Sequence, residues 1–110
     1  MANGIPLIVF PVKDLEQAKK FYNTYLGTQP YADSPYYVGY KVGDQEVGLD
    51  PNGTAVVSYV DVDDIASSLK ALEEVGANIV KETTDVGGGL LVAQVECGGN
   101  VMGLRQPVKK

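Results

Sequence analysis

Residues 12–27 read VKDLEQAKKFYNTYLG, and the fold of the chain turns on this stretch. Asp14 stands where a helix N-cap belongs, its short carboxylate able to accept from backbone N–H groups that the first turn leaves unsatisfied. Glu16 lies inside that turn, where the helix dipole favours an anion. Leu15, Ala18, Tyr22, Tyr25 and Leu26 recur at helical spacing, whereas Glu16, Gln17, Lys19, Lys20 and Asn23 fall mostly on the other side. The pattern predicts an amphipathic helix, and Gly27 is its natural stop. Such a helix must lay its apolar stripe on another layer, and the flanking residues supply strands.

Upstream, Ile5-Pro6-Leu7-Ile8-Val9-Phe10-Pro11-Val12 is short, apolar and rich in β-branched residues, as in a strand covered on both faces. Pro6 and Pro11 cannot donate to a ladder, so one edge of it is free or broken near each end. Downstream, the stretch through Tyr31, Tyr36, Tyr37, Tyr40 and Val42 is interrupted by Pro30, Pro35 and Gly39, which predicts two short strands. Gly43-Asp44 then makes a tight hairpin turn into Glu46-Val47-Gly48-Leu49.

The order starts again after Pro51-Asn52-Gly53. Residues 55–62 read as a strand, and Asp63 or Asp64 caps a second helix whose buried side carries Ile65, Leu69, Leu72 and Val75. Gly76 ends it, Ala77-Asn78-Ile79-Val80 is a strand, and Lys81 to Gly89 is expected as a polar loop. Two closing strands follow, Leu90 to Glu96 and Asn100 to Arg105, joined through Cys97-Gly98-Gly99. The last strands of the two halves superpose as GDQEVGL at 43–49 and GGNVMGL at 98–104. Their offset of 55 residues exceeds the 49 between Gly27 and Gly76 by six, which the Gly87-Gly88-Gly89 region absorbs. The expected architecture is therefore one α+β domain of two βαβββ modules, residues 4–51 and 54–107. Their strands form a cupped, open, barrel-like mixed sheet with the helices outside. A ferredoxin-like βαββαβ sandwich has too few strands for this pattern.

Composition narrows the function classes. Against 9 basic side chains stand 14 acidic ones, a net charge of −5, which argues against electrostatic capture of nucleic acid or of an anionic membrane surface. Cys97 is the single cysteine, so neither an intramolecular disulfide nor a thiol metal cluster can form, and a reduced, cytoplasmic setting is expected. The opening Met1-Ala2-Asn3-Gly4 lacks the basic and apolar pattern of a leader, and no segment has the roughly 20 apolar residues of a membrane span.

The 12–27 stretch resembles the first-helix signature of the vicinal oxygen chelate superfamily, which includes glyoxalases, bleomycin-resistance proteins and extradiol dioxygenases. ECGGNVMGLRQP at 96–107 is similar to its closing turn and strand. The resemblance covers nearly the whole chain and implies metal ligands at four positions, one on the first strand and one on the last strand of each module. Here those positions hold Leu7, Gly48, Val57 and Gly103, and the chain has no histidine. None of these side chains can bind a divalent cation. Glu46 and Asp50, two residues either side of Gly48, are the only nearby carboxylates on the closing strands.

Strand alternation then places Leu7, Val9, Pro11, Glu46, Gly48, Val57, Tyr59, Asp61, Val101, Gly103 and Arg105 on a concave face, with Ile8, Phe10, Val47, Val60, Met102 and Leu104 under the helices. The facing glycines predict a wide, partly apolar cavity without metal or other cofactor. Tyr59 and Arg105 would orient a ligand there, and Glu46 or Asp61 would answer a cationic group. Tyr40 joins this candidate set from the tyrosine-rich 31–40 stretch, a stacking wall for a flat ligand or a subunit interface. No catalytic residue emerges, since Cys97 has no histidine to activate it.

The leading expectation is a metal-independent binding protein for a small apolar or aromatic ligand, cationic where an acid answers it, in the manner of drug- or metabolite-sequestering members. Family resemblance implies a homodimer. Two alternatives stand beside it: a metal-dependent glyoxalase-like lyase or dioxygenase, and an assembly module that uses its sheet for pairing alone.

Overall fold

The computed structural model describes residues 4–108; the reading of Met1-Ala2-Asn3 as leaderless lies outside the described residues. The chain divides into two compact units, one of Pro6–Val57 and one built on the residues from Ser58 onward. The first unit runs β1 (Leu7–Pro11), α1 (Leu15–Leu26), β2 (Ala32–Asp33), β3 (Val38–Val42) and β4 (Gln45–Asp50). The second runs β5 (Val57–Asp61), α2 (Ile65–Glu74), β6 (Asn78–Asp85), β7 (Leu91–Cys97) and β8 (Asn100–Gln106). This is the α+β class with the βαβββ order written twice. Within the first, the strands lie in the order β2-β3-β4-β1, and within the second β5-β8-β7-β6. In each, the opening strand pairs parallel with the closing strand, and the remaining pairs are antiparallel. A parallel pair requires a long crossover, and the helix lies within it.

Both helices start on the expected acids. Asp14 accepts from the Gln17 N–H at 3.1 Å and Asp64 from the Ser67 N–H at 3.2 Å. Gly27 ends α1 in the left-handed region at φ 70°, its N–H donating to the Asn23 carbonyl. Helix α2 closes in a Schellman arrangement: Gly76, at φ 105°, donates to Glu73 O, and Ala77 donates to Leu72 O. The first turn of α2 is also tied to its own sheet, because Gln106 Oε1 accepts from the Ile65 N–H at 2.8 Å.

Each unit has its own core between helix and sheet. In the first, Val38, Tyr40 and Leu49 are fully buried, with Phe10, Leu15, Ala18, Tyr22 and Leu26 packed against them. In the second, Val62, Ile65, Leu69, Ala93, Val95 and Leu104 are buried, with Leu72 and Ile79 at the margin. Met102 shares the helix-side face with Leu104 but stays 36% exposed. No helix among the described residues is long and apolar enough to cross a membrane.

Two expectations are corrected. Residues 81–85 are not loop; β6 continues through Lys81-Glu82-Thr83-Thr84 to Asp85 and pairs with β7 across two register shifts. Its polarity is that of an edge strand with both faces open, where charges and bulges discourage further pairing. Val75 is 78% exposed rather than on the buried stripe of α2. It is the C-cap residue, already outside helical geometry at ψ 13°, so helical periodicity no longer directs its side chain.

Candidate functional site

Alternation along the strands gives each module a face turned away from its helix. In the first module Phe10, Val47, Leu49, Val38 and Tyr40 pack on the helix side. Leu7 and Val9 of β1, Glu46 and Gly48 of β4, and Gly39 and Lys41 of β3 therefore share the other face. Gly39 and Gly48 stand directly opposite each other, and Lys41 stands opposite Glu46.

Two tyrosine rings lie on this glycine floor. A Cβ built at Gly48 would meet Cε1 and Cζ of Tyr37 at 2.8 Å and overlap its hydroxyl. At Gly39 it would lie 3.1 Å from Tyr37 Cε2 and 3.2 Å from Cε1 and Cζ of Tyr31. The Tyr31 hydroxyl donates to Glu46 Oε1 at 2.5 Å. Lys41 Nζ sits 4.8 Å from the centroid of the Tyr31 ring, a cation–π distance.

The second module repeats the device with other residues. Tyr59 of β5 and Gly103 of β8 are parallel-strand partners, and a Cβ at Gly103 would clash with Cδ2 and Cε2 of the Tyr59 ring. Gln94, opposite Gly103 on β7, donates its Nε2 to the Tyr59 hydroxyl at 2.9 Å. Two residue pairs further on, and so on the same face, Arg105 grips Asp61 with a fork, Nε to Oδ1 at 2.7 Å and Nη2 to Oδ2 at 3.2 Å. Both side chains are mostly sheltered, 12% and 24% exposed, so the pair is more than a surface contact.

The structure thus brings Tyr59, Asp61 and Arg105 together in the second module and sets Glu46 beside Tyr31 in the first. Tyr40 is a correction. It belongs to the helix side of β3, is fully buried, and donates its hydroxyl to Asn23 Oδ1 at 2.7 Å. Position 40 is odd-even matched to Val38 and Val42, not to the glycine floor, so a tyrosine there is core. Burial pushes its phenol above the ordinary range, with the negative charge of Asp33 adding to the effect. Likewise the room expected over Gly48 and Gly103 is filled: a ring covers each glycine. On the sequence alone nothing sets Tyr31 or Tyr37 apart from the other tyrosines of 31–40, or marks Lys41 or Gln94. The available signal was the Gly39–Gly48 cross-strand pair, because an aromatic ring commonly shields backbone that glycine leaves bare.

The donor set does not fit the metal implied by the family resemblance. Leu7 and Val57 are buried hydrocarbon side chains, and the space beside Gly48 and Gly103 holds tyrosine rings. Among the described residues there is no group of three or more His, Cys, Asp or Glu side chains that could hold a metal ion.

Comparison with known proteins supports the architecture. At 16% identity, the chain is similar to methylmalonyl-CoA epimerase from Mycobacterium tuberculosis, with a TM-score of 0.80 over 98% of this chain and 90% of that one. It is similar to a glyoxalase/bleomycin resistance protein/dioxygenase superfamily member from Vibrio splendidus 12B01, at 18% identity and TM-score 0.70, covering 93% and 97%. The hypothetical protein BH1468 from Bacillus halodurans C-125 shares 14% identity at TM-score 0.78, covering 97% and 96%. At these identities the likeness is one of fold. Among curated proteins none matches the sequence. The family model for the Glyoxalase/Bleomycin resistance protein/Dioxygenase superfamily matches residues 4–100, and the chain belongs to that superfamily.

Proposed function

We propose that this protein binds a small apolar or aromatic molecule without a metal, sequestering a drug or metabolite rather than transforming it. One observation carries the reading: where the family resemblance implies ligating side chains on the closing strands, this chain has Gly48 and Gly103, each covered by a tyrosine ring. The half-buried Tyr37 ring over Gly48 offers a flat, polarisable surface to another ring, and the buried Tyr59 ring over Gly103 closes that position; neither offers anything to a divalent cation. Polar groups beside the rings, Glu46 in one module and the Asp61–Arg105 pair in the other, supply orientation. The superfamily spans binding proteins and enzymes; the metal-dependent alternatives would need donors that these four positions do not supply.

In this reading the protein is a cytoplasmic homodimer. The long edge strand β6 is available for pairing, and the exposed thiol of Cys97 suits a reducing compartment.

Native mass spectrometry of protein purified without chelators or added metals tests the proposal, together with titration by a panel of flat aromatic molecules in the presence and absence of EDTA. The expected result is a metal-free dimer with saturable binding that EDTA leaves unchanged. One stoichiometric divalent cation per chain would overturn metal independence, and no binding across the panel would overturn the binding role.

A further inference from the structure

Resting on the binding role just proposed, we infer that the Tyr31 ring is a cation-recognition surface and that Lys41 occupies it as a built-in competitor for the ligand's positive charge. Three features of the first module lead there. Lys41 Nζ lies 4.8 Å from the ring centroid, so this π face already holds an ammonium. The Tyr31 hydroxyl donates to a carboxylate oxygen of Glu46 at 2.5 Å, and a phenol polarised in this way carries more electron density on its ring, which strengthens attraction for a cation. The ring is itself half exposed and seated against Gly39 beside Tyr37, so a second flat group can lie along it at small entropic cost.

Lys41 is exposed and has a long, flexible stem, which makes it displaceable. The ligand class is therefore an organic cation with a flat apolar body, whose charge replaces the Lys41 ammonium over Tyr31. The Asp61 site of the second module is less suited to the same cation, because Arg105 already grips that carboxylate with two hydrogen bonds.

The test uses N-methylquinolinium and quinoline, which have nearly the same shape and differ in charge at neutral pH, titrated into the full chain by calorimetry. Wild type is expected to bind the cation more tightly than quinoline. Lys41→Gln should raise affinity for N-methylquinolinium about two- to five-fold, the range of an exposed cation–π contact, and leave quinoline unchanged. Lys20→Gln removes the same charge from α1 and controls for the change in overall charge; it should move neither affinity. Tyr31→Leu should abolish the preference for the cation.

Equal binding of both probes, with no effect of Lys41→Gln, would overturn the cation inference while leaving the metal-independent binding role intact. An equal gain from Lys20→Gln would overturn the competitor role, since only general charge would then be acting. If neither probe binds, the Tyr31 face is not a ring-binding surface, and both this inference and the aromatic-ligand reading of the first module fall.

Discussion

Gly103 and Tyr59 form the tightest side-chain-on-backbone fit in the second module. Because the ring is buried and its hydroxyl is held by Gln94, it has little freedom to retreat from a new methyl group. Gly103→Ala should destabilise the protein by about 1–3 kcal/mol, the usual range for overpacking, as read from urea unfolding. Combining it with Tyr59→Ala should give a loss smaller than the sum of the two single losses, because the clash disappears with the ring. Gly48→Ala should be milder, since its first contact is the hydroxyl end of Tyr37, which is less confined. Equal, additive losses at both sites would show that the rings do not press on the glycines.

At the level of elements, α1 is fastened at both ends and along its length. Asp14→Ala should lower stability by about 1 kcal/mol through loss of the N-cap. Gly76→Ala at the end of α2 should cost about 1–2 kcal/mol, because φ 105° is strained for a residue with a Cβ. Helix α1 also meets its sheet through titratable groups. Tyr40 hydrogen-bonds Asn23 from β3, and Lys19 forms ion pairs with Glu16 at 2.8 Å and with Asp33 of β2 at 3.3 Å. The hydrogen bond to Glu16 raises the Lys19 pKa, opposed by desolvation and reinforced by Asp33; burial raises that of Tyr40. A pKa higher in the folded than in the unfolded state means that the folded state holds its proton more tightly. The stabilisation is therefore complete below the ordinary values near pH 10 and is lost as pH climbs through the folded values. Stability measured by thermal melting should decline above about pH 10, and Tyr40→Phe should flatten that decline. The same variant should be less stable at neutral pH by about 1 kcal/mol, because Asn23 loses its partner. A Tyr40→Phe profile parallel to wild type across the alkaline range would assign the decline to other groups.

For the molecule as a whole, the superfamily's fold carries glycine beneath a tyrosine ring on both closing strands, Gly48 under Tyr37 and Gly103 under Tyr59. Anything that binds the folded state alone raises the melting temperature, so ligands can be sorted by that shift. Zinc, manganese, nickel and magnesium salts, and EDTA, should all leave the melting temperature unchanged, whereas a flat aromatic cation should raise it. A chelator-sensitive melting temperature would point to a metal site built from residues other than those at positions 7, 48, 57 and 103. Oligomeric state, read by light scattering, should be that of a dimer at micromolar concentration.

Local signals sufficed for the helices, their caps, the hairpin turns and the repeat of strand order. Each depends on a residue and its neighbours within a few positions: Asp14 on the N–H of Gln17, Gly27 on the carbonyl of Asn23, the 43–49 and 98–104 strands on period-two alternation. That residues 7, 48, 57 and 103 are Leu, Gly, Val and Gly, and so carry no donor side chain, is equally plain from the sequence. Contacts between strands were another matter. Which face Tyr40 takes is set by the register of β3 against β4, and a shift of one residue exchanges core and open face. That 81–85 form a strand was decided by pairing with β7, which polar residues tolerate only at an edge. The rings that fill the space over Gly48 and Gly103 come from residues 11 and 44 positions away in the chain, and only the folded backbone brings a ring and a bare glycine into contact.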